Sequence, residues 1–120
     1  MDQYFKNNIL KLGFKQEIET LFSKISEDKL YTTDSKWKIF AYYENGKYYF
    51  SDNGDLVEYF DAPDINIDYA LEEINSEIKK YGCYLNVSKI VKEIDVNNIE
   101  NNLQDYLKAV SKVDKIYEEL

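Results

Sequence analysis

Apolar residues recur along the chain with two different periods, which predict helices and strands in separate segments. Near the N-terminus, Phe5, Ile9 and Leu12 follow helical spacing, and Gly13 interrupts the pattern. The same spacing resumes over residues 14–25. Because glycine inside a helical pattern favours a stop or a kink, we expect a first helix in two parts.

The strongest local pattern is a β-hairpin over residues 37–51, preceded by a short strand around Leu30. Asn45-Gly46 predicts a type I′ turn because both residues tolerate positive φ. Strand alternation then gives two faces. The expected core face carries Trp37, Ile39, Ala41, Tyr43, Tyr48 and Phe50. The other face carries Lys38, Phe40, Tyr42, Glu44, Lys47, Tyr49 and Ser51. Its aromatic side chains indicate either a covering helix or an exposed patch suited to a protein interface.

A helix between two β segments is predicted for the middle of the chain. Residues 51–54 indicate a turn, and residues 56–60 suggest a short helix. A longer amphipathic pattern covers residues 67–81, with Gly82 in position to end it. Residues 83–94 are predicted to add a second hairpin to the sheet.

The C-terminal segment has apolar residues at alternating spacings of three and four from Val96 to Leu120. This stripe indicates either packing against the domain's own sheet or a homodimer seam. Leu107 and Ile116 broaden the stripe and favour the first alternative. Together these elements predict one α+β domain over residues 1–120. It contains a small antiparallel sheet of three to five strands, packed with an N-terminal helix, a middle helix and a long C-terminal helix.

Charge changes this picture because it is unevenly placed. The chain has 23 acidic residues and 15 lysines, a net charge of −8. Residues 52–78 contain nine acids and no lysine, whereas the segments on either side are close to neutral. The whole net charge therefore comes from one segment, which is either a solvated face or an electronegative interface for a basic partner.

The residue types that are missing exclude several kinds of chemistry. Without histidine there is no Ser-His-Asp or Cys-His catalysis, and without arginine there is no bidentate phosphate fork. No catalytic residue, cofactor or metal site is predicted, although a carboxylate-only metal enzyme stays formally possible. The pI near 4.6 argues against direct nucleic-acid binding. Cys83 is expected to be a small buried hydrophobic side chain. With neither a long apolar run nor a signal-peptide pattern, we expect a cytoplasmic protein without membrane contact.

The candidate partner-binding residues form an acidic group and an aromatic group. Asp64, Asp68 and Glu72 are spaced four apart, which aligns them on one helix face. Regularly spaced carboxylates can imitate nucleic-acid phosphates, and tyrosines can add apolar anchoring. Asp52 has an alternative role in a plain turn with Asx hydrogen bonds. The complete set is Asp52, Asp55, Glu58, Asp61, Asp64, Asp68, Glu72, Phe40, Tyr42 and Tyr49.

The order of elements resembles a family of small phage and mobile-element proteins of unknown function. In that family an aromatic hairpin ends in a Thr/Ser-Asp-x-Gly turn that leads into a short helix. Here the matching segments are Tyr48 to Gly54 and Leu56 to Phe60, within a resemblance that covers about residues 25–120. The resemblance implies a phage-type genomic setting and structural turn roles for Asp52 and Gly54. It implies no chemistry.

These observations predict a non-enzymatic protein-binding module. Its most specific form is a phage or mobile-element inhibitor of the anti-CRISPR or anti-restriction kind, which presents acids to the basic groove of a host nuclease in the host cytoplasm. Such a protein could act as a monomer or a homodimer. The alternative is a regulatory or adaptor protein that homodimerises through its C-terminal helix.

Overall fold

The computed structural model describes residues 2–16, 29–34, 37–54 and 67–118 of the chain. Within these ranges it contains three helices and one six-stranded antiparallel sheet. This confirms the α+β prediction, although the sheet has six strands and not the three to five that were expected. The elements are α1 (Gln3–Lys11), β1 (Lys15–Gln16), β2 (Lys29–Asp34), β3 (Trp37–Glu44), β4 (Lys47–Ser51), α2 (Ile67–Lys79), β5 (Tyr84–Asn86), β6 (Lys89–Ile94) and α3 (Ile99–Glu118). The strand order is β1-β2-β3-β4-β6-β5.

The additional strand arises where Gly13 ends the first helix. Gly13 adopts φ +95°, and its N–H donates to the carbonyl of Leu10 at 3.1 Å, while Phe14 N–H donates to Ile9 at 3.4 Å. These two hydrogen bonds form a Schellman motif, which reverses the chain. β1 follows and pairs with β2. The prediction that the helix resumes at once is therefore wrong for residues 15–16, and its remainder lies outside the described residues.

The central hairpin forms in the predicted register. Asn45 and Gly46 have φ values of 50° and 82°, as a type I′ turn requires. Tyr42 pairs with Tyr49, and Tyr43 pairs with Tyr48. On the predicted core face the side chains away from the turn are buried. Tyr43, beside the turn, is 40% exposed, because the core does not extend to the hairpin tip.

All three helices pack on one face of the sheet, called the inner face. Its buried apolar side chains from the strands are those of Leu30, Trp37, Ile39, Ala41, Phe50, Ile90 and Ile94. They share one cluster with Phe5 and Ile9 of α1, with Ala70, Ile74 and Ile78 of α2, and with Ile99, Leu103, Tyr106, Val110 and Val113 of α3. The opposite face of the sheet is called the outer face. Phe40 and Val91, which alternation places on the outer face, are buried outside this cluster.

The apolar stripe of α3 lies in the core of its own domain. Tyr106 and Val113 have no exposed surface, and Ile99 and Leu103 are each 7% exposed. This confirms the prediction of intradomain packing and leaves this part of the stripe no surface for a second copy. Val96 does not belong to the helix, which begins at Ile99, because Asp95 accepts a hydrogen bond from Asn97 and holds residues 95–98 in a turn.

The predicted end of the middle helix and the predicted second hairpin are both confirmed. Gly82 ends the middle helix with φ +73°, and the N–H of Cys83 donates to the carbonyl of Ile78 at 3.1 Å. β5 and β6 then form the hairpin, whose turn contains Val87 at φ 58°. The short helix expected over residues 56–60 lies outside the described residues. No described helix is both long and apolar enough to cross a bilayer.

Candidate binding surfaces

The candidate residues that the structure describes do not lie together on one surface. Asp52 follows β4 and is buried, whereas Glu72 is exposed on α2. Asp68 is the second residue of α2. The aromatic candidates Phe40, Tyr42 and Tyr49 belong to β3 and β4. The remaining acids, Asp55, Glu58, Asp61 and Asp64, lie outside the described residues.

Asp52 connects the turn after β4 to the start of β6. Its Oδ1 accepts hydrogen bonds from Gly54 N–H at 3.1 Å and from Ile90 N–H at 2.9 Å. The first confirms the predicted Asx turn. The second joins residues 38 positions apart, and the carboxylate has no exposed surface. Asp52 is therefore corrected from a partner-binding acid to a buried structural one.

Tyr106 extends this buried polar group into α3. Its hydroxyl donates to the carbonyl of Ile90 at 2.8 Å, so both backbone polar groups of Ile90 bond to side chains. Burial, with the nearby Asp52 carboxylate, holds the pKa of Tyr106 well above its ordinary value of 10.0. The tyrosine consequently stays neutral and keeps its proton for the hydrogen bond.

Lys92 forms a second buried polar contact, where α2 ends. Only 8% of it is exposed, and its Nζ donates to the carbonyl of Tyr81 at 2.7 Å. Nearby, burial raises the pKa of the Cys83 thiol to about 12, although the Lys92 charge acts to lower it. A neutral buried thiol is a poor nucleophile, which agrees with the structural role predicted for Cys83. The hydrogen bond from Lys92 thus gives the carbonyl of Tyr81 a partner at the end of α2.

The acidic surface of α2 is short within the described residues. Glu72 and Glu73 are exposed, on the helix that packs against the inner face. Glu77 forms an ion pair with Lys80 at 2.9 Å, which offsets its charge. The uncompensated carboxylates on this part of the helix are therefore those of Glu72 and Glu73.

The outer face combines lysines with aromatic residues. Strand alternation and register place Lys15, Lys29, Lys38, Lys47, Lys89, Tyr31, Phe40, Tyr42, Tyr49 and Tyr84 on it, with the acids Glu44 and Glu93. Lys47 forms an ion pair with Glu93 at 3.1 Å. The described part of this face therefore carries more positive than negative charge, although the whole chain is acidic.

Lysine ammonium groups lie over the aromatic rings of the outer face. The Nζ of Lys38 is 4.2 Å from the ring centroid of Tyr31 and 5.3 Å from that of Phe40. The Nζ of Lys29 is 5.1 Å from the Phe40 centroid. Phe40 is only 7% exposed, which corrects its candidate role as an exposed anchor. Tyr42 and Tyr49 are half-buried and stack on each other, with their centroids 5.5 Å apart.

A cavity of about 160 Å³ opens beside these rings. Phe40 and Tyr42 supply aromatic surface, and Lys29 and Lys89 supply positive charge. The other lining residues are Glu44, Ser51 and Asn53. Burial, followed by the Glu44 carboxylate, raises the pKa of Tyr42 to about 12, so its hydroxyl stays a hydrogen-bond donor at neutral pH. None of the three described helices covers this cavity, because all of them pack on the inner face.

The acidic and aromatic candidates thus lie on opposite sides of the sheet, as far as the structure describes them. Sequence reasoning missed the lysines of β2 and β6 on the outer face. The face of the sheet on which each lysine lies depends on the register between strands that are distant in sequence. Among the described residues, no three His, Cys, Asp or Glu side chains are grouped closely enough to hold a metal ion. Neither a protein-family model, nor a curated protein, nor a solved structure matches this chain.

Proposed function

We propose that this chain is a small, acidic, non-enzymatic protein-binding module that presents acids of segment 52–78 to the basic nucleic-acid-binding groove of another protein. Its most specific form is a phage or mobile-element inhibitor of a host nuclease, of the anti-CRISPR or anti-restriction kind. The observation that carries the proposal is the segregation of charge, because this segment has nine acids and no lysine.

The geometry of α2 supports the proposal. Ala70, Ile74 and Ile78 fix the helix against the core, and Glu72 and Glu73 are exposed. Carboxylates on a rigid helix need little ordering when they meet a partner. A charged patch of this kind also speeds encounter with an oppositely charged groove.

The proposed interface is narrower than the full set of candidates. Asp52 is left out because it is buried, and Phe40, Tyr42 and Tyr49 are left out because they lie on the outer face, across the sheet from α2. The described residues of the interface are Glu72 and Glu73, and the acids between residues 55 and 68 are included from the sequence. The alternative of an adaptor dimerising through α3 gains no support, since the stripe that suggested it is buried in the core.

A binding experiment with charge-matched variants tests the proposal. The tagged protein is incubated with purified guide-loaded CRISPR effector complexes and restriction endonucleases, at low and high salt. We expect capture of at least one enzyme and inhibition of its DNA cleavage. The variant Glu72→Lys/Glu73→Lys should weaken that binding about tenfold, which equals about 1.4 kcal/mol.

The control is Glu100→Lys/Glu118→Lys, which changes the net charge equally at exposed positions on α3. It should bind within about twofold of the unchanged protein, since rim charges far from an interface contribute little. Capture that both double variants weaken equally would show that total charge governs binding. Capture of no enzyme in the panel would remove the nuclease-inhibitor form.

A further inference from the structure

We propose that the outer face of the sheet binds single-stranded nucleic acid, with one base seated in the cavity beside Phe40 and Tyr42. Surfaces that bind single strands combine aromatic rings, on which bases stack, with positive charges that follow the phosphates. The outer face has both on neighbouring strands. This activity goes beyond the proposed function and uses neither Glu72 nor Glu73.

The aromatic rings follow the rows of the sheet. Tyr31 pairs with Phe40 across β2 and β3, and Tyr42 pairs with Tyr49 across β3 and β4. Adjacent strands are about 4.8 Å apart, so the aromatic side chains in these rows form a series of neighbouring rings. Within it Tyr42 and Tyr49 stack on each other, and Phe40 is 7% exposed. Tyr84 adds an exposed ring on β5, at the edge of the sheet. Such a series suits consecutive bases of an extended strand.

The ammonium group of Lys29 lies over aromatic rings in a position from which it can move to a phosphate of a bound strand. In the free protein the ammonium group of Lys29 lies 5.1 Å from the Phe40 centroid and 5.9 Å from the Tyr42 centroid. A lysine has a flexible four-carbon stem, so the ammonium can leave the ring while the backbone stays in place. An incoming base would take over the ring face, and the displaced ammonium would meet the adjacent phosphate.

The cavity gives this surface a concave part. Its volume of about 160 Å³ is far above the roughly 10–15 Å³ that a single water needs, so it has room for a group larger than water. Lys29 lines it from β2, and Lys89 lines it from β6. Asn53 and Ser51 supply polar groups that could contact the edge of a base.

The exposed acids of α2 do not cancel the positive charge of the described part of the outer face. At 0.15 M salt the Debye length is about 8 Å. The shortest extent of the molecule is 26 Å, and the exposed acids of α2 lie on the far side of the sheet. Their field is largely screened before it reaches a strand on the outer face. The expectation that this protein avoids nucleic acid came from its total charge and from the absence of arginine. The register of the sheet gives a reason to depart from the first of these, and lysines take the place of arginine on this face.

Fluorescence anisotropy with labelled twelve-nucleotide dT and U oligonucleotides tests the proposal. We expect saturable binding at micromolar protein. If about three phosphates are neutralised, the salt slope is about −2, so binding should weaken roughly 16-fold between 50 and 200 mM salt. Absence of binding to both oligonucleotides at 50 mM salt would overturn the proposal.

Two pairs of matched variants locate the surface. Lys29→Glu/Lys89→Glu should weaken binding at least tenfold, while Lys79→Glu/Lys108→Glu, with the same charge change on exposed helical positions, should change it by less than threefold. Tyr49→Leu should weaken binding about tenfold through lost stacking, and Tyr4→Leu, at a 64% exposed site on α1, should not. Equal effects within either pair would contradict the assignment. Circular dichroism verifies that each variant is folded.

Competition identifies the chemical class of the ligand. An abasic oligonucleotide of the same length should compete at least tenfold less well than dT, because it offers phosphates without bases. Free dTMP should compete only weakly, since it has one phosphate. If abasic strand or polyglutamate competes as well as dT, the face is an acceptor for acidic polymers in general, and the proposal is overturned.

Discussion

The substitution Asp52→Ala separates a buried structural acid from a surface acid. In the structure one oxygen of Asp52 accepts from Gly54 N–H and from Ile90 N–H, and the side chain has no exposed surface. Alanine removes the acceptor and leaves both donors without it. The Ile90 amide lies in β6, next to the sheet core, where water cannot easily replace the lost oxygen.

The expected loss of stability is large for a domain of this size. A hydrogen bond to a charged group contributes roughly 1.5–3 kcal/mol. Two such bonds give roughly 3–6 kcal/mol, with the lower end applying if the turn at Gly54 relaxes toward solvent. The free energy of unfolding of a whole domain is only about 5–15 kcal/mol, so Asp52→Ala should remove a substantial part of it. The melting temperature should fall by roughly 10–20 °C.

Urea unfolding followed by circular dichroism measures this loss, and thermal unfolding gives an independent value. Asp52→Asn retains an oxygen acceptor and should recover more than half of the stability. Glu72→Ala, at an exposed candidate acid, should stay within about 0.5 kcal/mol of the unchanged protein. If Asp52→Ala lowers the free energy of unfolding no more than Glu72→Ala does, the structural role of the buried Asp52 carboxylate is refuted. Asp52 would then again be a candidate partner-binding acid.

Three further perturbations test other parts of the fold. Val87 is 90% exposed and has φ 58°, which a β-branched side chain rarely adopts, so Val87→Asn should raise the free energy of unfolding by about 1 kcal/mol; an unchanged or lower urea midpoint would argue against strain. Gly82→Ala should lower stability by about 1–2 kcal/mol in thermal unfolding, because a Cβ at φ +73° would lie 2.6 Å from Lys92 Nζ; an unchanged melting temperature would contradict this. Burial raises the pKa of Cys83 from 9.0 to about 12, so its thiol should react at least a hundredfold more slowly with a disulfide reagent at pH 8 in the folded protein than in denaturant. For the same reason the free energy of unfolding should fall as the pH rises from about 9 toward 12. Equal reaction rates in the folded and denatured protein would show that the thiol is accessible.

Local signals predicted the elements whose causes are local. Asn45-Gly46 determines its turn through backbone preferences, and a two-residue loop then fixes every pair of the central hairpin. Gly82 ends α2 for a similarly local reason. The buried stripe of α3 was also recognisable, because its breadth around Leu107 and Ile116 favoured a sheet over a partner helix.

The misjudged features depend on contacts between distant segments. Phe14 fits a helical period and is buried, yet it follows a Schellman turn into a strand, because Gly13 reverses the chain. For Asp52 the sequence indicated a turn, but its second hydrogen bond requires β6 to lie beside β4. No pattern within a few residues of Asp52 contains that information.

The outer face shows how sequence order can conceal a surface. Lys29 and Lys89 are 60 positions apart, and each is unremarkable among its neighbours. Antiparallel pairing in the order β2-β3-β4-β6, with side chains alternating between faces, places both beside Phe40 and Tyr42. A shift of one residue in either pairing would turn a lysine to the inner face, where an apolar residue such as Leu30 or Ile90 must lie. The burial of the inner face therefore fixes the positions of the lysines opposite, and a net charge summed over the chain does not describe the charge that a ligand meets on this face.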